Sequence, residues 1–322
     1  MISRDLATFA EVSGGVLQGA NAKFARVSSD SRALEPGALF VALTGDRFDG
    51  HDFVAAAAAR GAAGAIVSRP VDCALPQVVV ADTLAALATF ANAWRRSFAG
   101  VVVGITGSNG KTTVKEMTGA ILAELGPCLV TQGNLNNHIG VPLTLCRLEA
   151  THRCAVIEMG ANHLREIAHL AAIAEPTVGL VINAGQAHLE GFGDIEGVAR
   201  GKGEMFEALG PDGTAVINAD DRFAAFWHGL ARRAGRVVTF GLREHADVTA
   251  RDVRSHLGAT GFVTTFELVT TSGTRAIELG LAGEHNVMNA LAATAAAMAA
   301  GAGLDAVQRG LHHALGDVHA QH

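Results

Sequence analysis

Residues 101 to 117, VVVGITGSNGKTTVKEM, constrain this chain more than any other stretch. Val101 to Thr106 carry no charge and no polar face, which suits a strand covered on both sides, as in a parallel sheet wrapped by helices. Glycines at 107 and 110 then break the run, and a helical pattern resumes at once. Strand, tight turn and helix therefore follow one another directly.

The same alternation continues along the chain. Cys154 to Met159, Thr177 to Asn183, Thr214 to Asn218 and Arg236 to Phe240 read as further strands. Between them lie segments with apolar spacing near 3.6, such as Ile195 to Leu209, which opens after Asp194 as a cap. The expected fold is α/β: a mostly parallel, doubly wound central domain over residues 99–315. After Ala246 the pattern alternates over 248–253, 262–269 and 275–281, predicting a small antiparallel addition before helices return near 285. Residues 1–98 read as a separate small α/β domain, with strands at Leu39 to Leu43, Ala65 to Val67 and Gln77 to Val80. Its last helix, Thr83 to Phe98, ends in Arg95 and Arg96, which suit the negative end of a helix dipole.

Composition narrows the partners. A length of 322 residues favours two domains, and 49% hydrophobic against 17% charged residues leaves little room for disorder. A net charge of -6 without a Lys/Arg cluster argues against a nucleic-acid backbone and for a small ligand. The opening MISRDLATFAEVSGG lacks a basic segment before an apolar core, and no long uncharged apolar run follows, so membrane insertion is not expected and the cytoplasm is. Cys73, Cys128, Cys146 and Cys154 have no metal-type spacing and read as buried reduced thiols. Among the 25 basic residues only Lys23, Lys111, Lys115 and Lys202 are lysines, so a retained lysine invites a chemical reason.

The turn Gly107, Ser108, Asn109, Gly110, Lys111, Thr112, Thr113 has the context of a phosphate loop. Its backbone N–H groups and the following helix start can face phosphate oxygens, Lys111 can reach the terminal phosphates, and the Thr112 hydroxyl can ligate Mg2+. The interval from Gly104 to Gly110 is one residue longer than in the common form, and the bland alternative is a turn with a surface lysine. Glu158 and His188 follow the next two strands, where ligand sites of open α/β sheets gather. They read either as metal-site residues beside the phosphates or as an exposed strand end and a loop histidine, and imidazole is an unusual ligand for Mg2+. Lys202, in ARGKGEMF, reads from composition as a solvated helix lysine, although arginine could not replace it if a neutral amine had to react with carbon dioxide. Asn286 and Asn289 lie three apart near a helix start, where their amides can bond an adenine edge or Asn286 can cap the helix.

ITGSNGKTTVKEM, GNLNNHIGVPLTL, EMGANHLREI, NAGQAHLEGFGDIEGVARGKGEMF, NADD and GEHNVMNALAA occur in an order that resembles the Mur ligases. SDSRALEPGALFVALTGDRFDGHDF resembles their UDP-substrate domain, and EMGANH with NNHIGVPLTL resembles the branch that adds a terminal dipeptide. The resemblance implies ATP and Mg2+ as cofactors, with UDP-N-acetylmuramoyl-tripeptide and D-alanyl-D-alanine joined through an acyl phosphate by a monomer. It implies that residues 107–113 bind the phosphates, with Lys111, Lys202 and His188 catalytic. Thr112, Glu158, His188 and a carbamylated Lys202 serve the metal sites, Asn286 and Asn289 lie on the adenine side, and Ser31 and Arg32 contact the UDP portion. Family members continue into a further Rossmann-like domain after the helix at 304–315, whereas residues 316–322 diverge. The expectation is a chain that binds ATP and the UDP-tripeptide but forms little product by itself; a module that binds without turnover and a folylpolyglutamate-type ligase are the competing readings.

Overall fold

The structure, a computed structural model, describes residues 1–45, 48–186, 189–258 and 261–313. The chain divides into two compact units: residues 1–99 with 138–150, and residues 100–137 with 151 onward.

In the first unit, α1 (Leu6–Ser13) starts where the Asp5 carboxylate accepts the Thr8 N–H at 2.9 Å, and it stops at Gly14 with φ 68°, a left-handed turn that favours glycine. The strands that follow are β1 (Val16–Gln18), β2 (Val27–Ser28), β3 (Leu39–Val41), the small pair β4 (Thr44–Gly45) and β5 (Phe48–Asp49), then β6 (Gly64–Val67) and β7 (Gln77–Val79). Among the described residues they form a five-stranded sheet in the order β1-β7-β6-β3-β2, parallel except at β1. Helices α2 (Val54–Ala59) and α3 (Thr83–Arg96) complete the first 99 residues. Phe9 stacks on Phe90 at 4.6 Å, and Phe90 in turn lies against Trp94. The later helix α5 (Gly140–Leu145) belongs here, although the sequence reading assigned it to the second domain. Polar contacts account for its place: Arg4 donates to the carbonyls of Cys146 and Leu148, and the Trp94 indole N–H donates to Leu148 at 3.0 Å.

The second unit is built on β8 (Val101–Thr106), β9 (Cys128–Val130), β10 (Cys154–Glu158), β11 (Val178–Val181), β12 (Thr214–Asn218), β13 (Arg236–Phe240), β14 (Val248–Gly258), β15 (Gly261–Thr270) and β16 (Gly273–Leu279). Among the described residues these form one nine-stranded sheet in the order β16-β15-β14-β13-β12-β11-β8-β10-β9. Pairing is parallel from β9 to β14 and antiparallel through β15 and β16. The helices are α4 (Lys111–Ala123), α6 (Glu166–Ala174), α7 (Leu189–Phe192), α8 (Ile195–Glu207), α9 (Ala224–Leu230), α10 (Glu284–Ala299) and α11 (Leu304–His313).

Residue alternation along β8 decides which helix covers which face. Val103 and Ile105 join the apolar cluster with α4, α10 and α11, whereas Gly104 faces Met205 of α8 on the opposite side. Burying each such aliphatic side chain contributes roughly 1.5–3 kcal/mol. Gly104 and its register partner Gly179 leave the space that Met205 fills; a Cβ on Gly179 would lie 2.9 Å from the Met205 Cγ. The α8 N-terminus follows the sequence expectation, with Asp194 accepting the Gly197 N–H at 2.6 Å. Of the four cysteines, Cys146 and Cys154 are buried and Cys73 and Cys128 are only partly so. No helix of the described residues is long and apolar enough to cross a membrane.

Gly179→Val should therefore lower stability by about 1–3 kcal/mol through overpacking against α8. Chemical denaturation checks this, and an unchanged midpoint would mean that Met205 has room to move.

Candidate functional site

The turn between β8 and α4 sits at the carboxyl end of the parallel strands. There β8 lies between β10 and β11, so the chain leaves β10 for the opposite side of β8, and the strand order reverses. Crevices of open α/β sheets form at such reversals.

The turn is held from outside by Asn183, just past β11. Its Oδ1 accepts the N–H groups of Ser108 at 3.1 Å and Asn109 at 3.0 Å, while its Nδ2 donates to the Asn109 carbonyl. Ser108 and Gly185 add a hydrogen bond at 2.9 Å from the Gly185 N–H to the Ser108 hydroxyl. No side chain caps α4 at Gly110, so the N–H groups of its first turn are left for an outside acceptor. Lys111 folds back over the turn, donating to the Gly107 carbonyl at 2.8 Å and the Ser108 carbonyl at 3.3 Å. Burial lowers its pKa, and the Glu158 charge partly offsets this.

Glu158 ends β10 as a buried carboxylate, 2% exposed, which removes the reading of an exposed strand end. One oxygen accepts Asn136 Nδ2 at 2.7 Å; the other lies 3.4 Å from the Thr112 hydroxyl and 3.8 Å from Lys115 Nζ. Its own N–H donates to Thr131 Oγ1 at 3.0 Å. Thr112 and Glu158 are thus brought together. His188, the third expected metal-site residue, lies outside the described residues.

Lys202 is not a solvated helix lysine. It is 1% exposed, its Nζ donates to the Ala161 carbonyl at 3.2 Å, and it lies 5.4 Å from the Phe192 ring centre. Burial brings its pKa down to about 8, helped by repulsion from Lys111 and opposed by Glu166 and Glu204. That repulsion puts the two ammonium groups in one electrostatic environment. Glu204, two residues on, accepts the N–H groups of Arg165 and Ala168 and so ties the start of α6 to α8.

Asn286 and Asn289 lie inside the first turns of α10, whose N-cap is Gly283, so Asn286 is not the cap. Asn286 donates to the Ala282 carbonyl, and its Oδ1 accepts Asn289 Nδ2 at 3.3 Å. Both line a cleft of about 450 Å³ together with Gly110 and Thr113 of the turn, Asn183, Asn218 and Phe240. Gly110 has φ 82°, and a Cβ there would lie 2.5 Å from Asn289 Oδ1. Glycine is needed both for the turn and for the close approach of α10. Ser31 and Arg32 belong to the first unit, where Arg32 is exposed and paired with Asp30 at 2.9 Å. Sequence reasoning assigned no role to Asn183, Asn136, Asn218 or Lys115; their neighbours in NAG, NNH, NADD and TVKEM were the available signal.

The buried strand, the uncapped helix start, the folded-back lysine and the adjoining cleft give this unit the form of a P-loop domain of the α/β class. Residues 105–297 match the Mur ligase middle domain, and residues 23–95 match the Mur ligase family catalytic domain. The UDP-N-acetylmuramoyl-tripeptide--D-alanyl-D-alanine ligase of Escherichia coli is 46% identical over 97% of this chain and 68% of its own length. The corresponding ligase of Haemophilus influenzae is 40% identical over 90% of this chain and 63% of its own length. A crystal structure of MurF from Acinetobacter baumannii aligns with TM-score 0.87 at 40% identity, over 95% of this chain and 67% of that one. MurF ligase from Thermotoga maritima in complex with ADP aligns with TM-score 0.74 at 29% identity, over 88% of this chain and 65% of that one. The chain belongs to the Mur ligase family. It spans about two thirds of the length of these relatives.

The Lys202 amine sets a pH dependence. Its pKa is near 10.5 when unfolded and about 8 when folded, so between these values the unfolded chain binds more protons and stability rises with pH. In carbon-dioxide-free buffer, the parent should gain thermal stability relative to Lys202→Met as pH rises from about 8 toward 10.5. A constant difference across this window would show that the amine titrates normally.

Proposed function

We propose that this chain carries the ATP-binding and UDP-precursor-binding parts of an ATP-dependent amide ligase that joins D-alanyl-D-alanine to UDP-N-acetylmuramoyl-tripeptide. The observation that supports this most is the single cleft in which Gly110 and Thr113 of the phosphate loop meet Asn286 and Asn289 of α10. In the reaction, a peptide carboxylate oxygen attacks the γ-phosphorus of ATP and ADP leaves. The resulting acyl phosphate is attacked by the dipeptide amine, which loses a proton as phosphate departs and the amide forms.

Each group in this chain has a task in managing negative charge. The first-turn N–H groups of α4 face the phosphates with the positive end of the helix. Lys111 leaves its loop carbonyls to offset the charge that develops on the γ-phosphate. The amides of Asn286 and Asn289 bond the adenine edge, and the turn carrying Ser31 and Arg32 contacts the UDP portion. Thr112 and Glu158 fit Mg2+, because a hydroxyl and a buried carboxylate converging at 3.4 Å are hard oxygen donors. Bound there, the ion supplies charge neutralisation to the phosphates. His188 is assigned to the metal sites by resemblance alone.

Lys202 has the chemistry for a carbamate: with a pKa of about 8, roughly a tenth of the amine is neutral at pH 7 and able to attack carbon dioxide, releasing a proton. The anionic product then suits a metal site and relieves the repulsion with Lys111.

Equilibrium titration tests the phosphate loop: Lys111→Ala should weaken ATP binding at least about tenfold, the loss expected for a charge-assisted contact. The parent should also bind UDP-muramoyl-tripeptide and no folate. Unchanged ATP affinity would remove the loop assignment, and folate binding would favour a different ligase class. For Lys202, carbon-13 bicarbonate should give one carbamate NMR signal that is missing in Lys202→Arg; identical spectra would exclude the carbamate.

A further inference from the structure

Lys115 has no part in the scheme above, yet it is one of only four lysines in the chain and is fully buried on α4, one helical turn past Lys111. Its ammonium makes three contacts. It lies 2.9 Å from the carboxylate of Glu116, donates to the Gly133 carbonyl at 3.4 Å, and lies 3.8 Å from Glu158 Oε2. Glu116 is half exposed and can find water, whereas Glu158 is enclosed. A buried carboxylate without a countercharge is strongly destabilising, and while Lys111 also acts on Glu158 through charge, Lys115 is the ammonium that lies 3.8 Å from its Oε2. The oxygen it faces, Oε2, is also the one nearest the Thr112 hydroxyl.

We propose that Lys115 is a positioning residue that holds Glu158 aimed at Thr112, and that a divalent cation must share this carboxylate with it, so that Lys115 sets the cation affinity of the site. The inference rests on the reading of Thr112 and Glu158 as metal-site residues. A cation arriving at Oε2 meets an ammonium that is already there, and the repulsion weakens its binding. The bond to Gly133 has a second consequence: it ties the loop carrying Asn136, the other partner of Glu158, to the phosphate-loop helix. An ion that binds too tightly would hold its nucleotide after reaction, and a fixed positive charge beside the carboxylate limits that.

The test measures the Mg2+ concentration that gives half-maximal ATP binding, for the parent, Lys115→Met and Lys115→Arg. Methionine keeps the apolar stem without the charge, whereas arginine keeps the charge. Lys115→Met should need about tenfold less Mg2+ or lower still, the direction set by removing one repelling charge. Lys115→Arg should stay close to the parent. Without nucleotide, Mg2+ should also raise the thermal midpoint of Lys115→Met more than that of the parent, because the ion then supplies the missing countercharge. If Lys115→Met does not fold unaided, the same comparison is made with Lys115→Gln. A structural role alone would leave the Mg2+ requirement unchanged or raise it, and either result overturns the proposal. A parent whose ATP binding ignores Mg2+ would remove the metal reading, and this inference with it; a parent that depends on Mg2+ with no downward shift in the variant removes the inference alone.

Discussion

A carboxylate enclosed by protein needs a partner for each oxygen, and Glu158, 2% exposed, draws those partners from two other parts of the chain. Thr112 and Lys115 come from α4, Asn136 from the loop after β9, and Thr131 fixes the backbone from the same segment. Satisfying one charge therefore fixes the phosphate-loop helix, the β9 loop and the end of β10 against one another. The cost of leaving such a group unpaired is several kcal/mol, a large fraction of the stability of any domain. These elements cannot relax independently, which is what a site that orients phosphates requires.

The other side of the site depends on small residues. Helix α10 buries Ala290, Ala292, Ala293 and Ala295 to Ala297, so it packs closely over the sheet and α4. That closeness carries Asn289 to within a Cβ's reach of Gly110. Asn183 holds the turn from β11 by accepting two of its N–H groups and donating to one of its carbonyls. The turn is thus shaped before any ligand arrives, and the cost of ordering it has already been met in folding.

Much of this was legible in the residues. Val101–Thr106, Thr214–Asn218 and Arg236–Phe240 are strands at the bounds the sequence predicts, because a buried parallel strand leaves a continuous apolar run. The three-residue strand β9 was not anticipated, being too short to show any period. Helix α5 reads by position as part of the second domain and packs with the first, since the contacts that place it come from Arg4 and Trp94, distant in sequence. Lys202 looks solvated in its local pattern because burial is a tertiary property. It lies under Phe192 and against the Ala161 carbonyl, and neither is visible from ARGKGEMF alone. Asn286 looks like a cap for a comparable reason, as Gly283 begins the helix three residues earlier without a side-chain bond. The strand, glycine turn and helix over residues 101–123 were the most legible feature, because the apolar run and the glycines at 107 and 110 mark their limits directly.

The central claim is that ATP occupies the cleft between residues 107–113 and the start of α10. Backbone and side-chain amide NMR spectra recorded with Mg2+ and a non-hydrolysable ATP analogue test it most directly. The account predicts that the largest shifts fall on Gly107 to Thr113 and on the side-chain amides of Asn286 and Asn289, with saturation at one equivalent. Shifts confined to the first unit, or a phosphate loop left unperturbed while the nucleotide binds elsewhere, would contradict it.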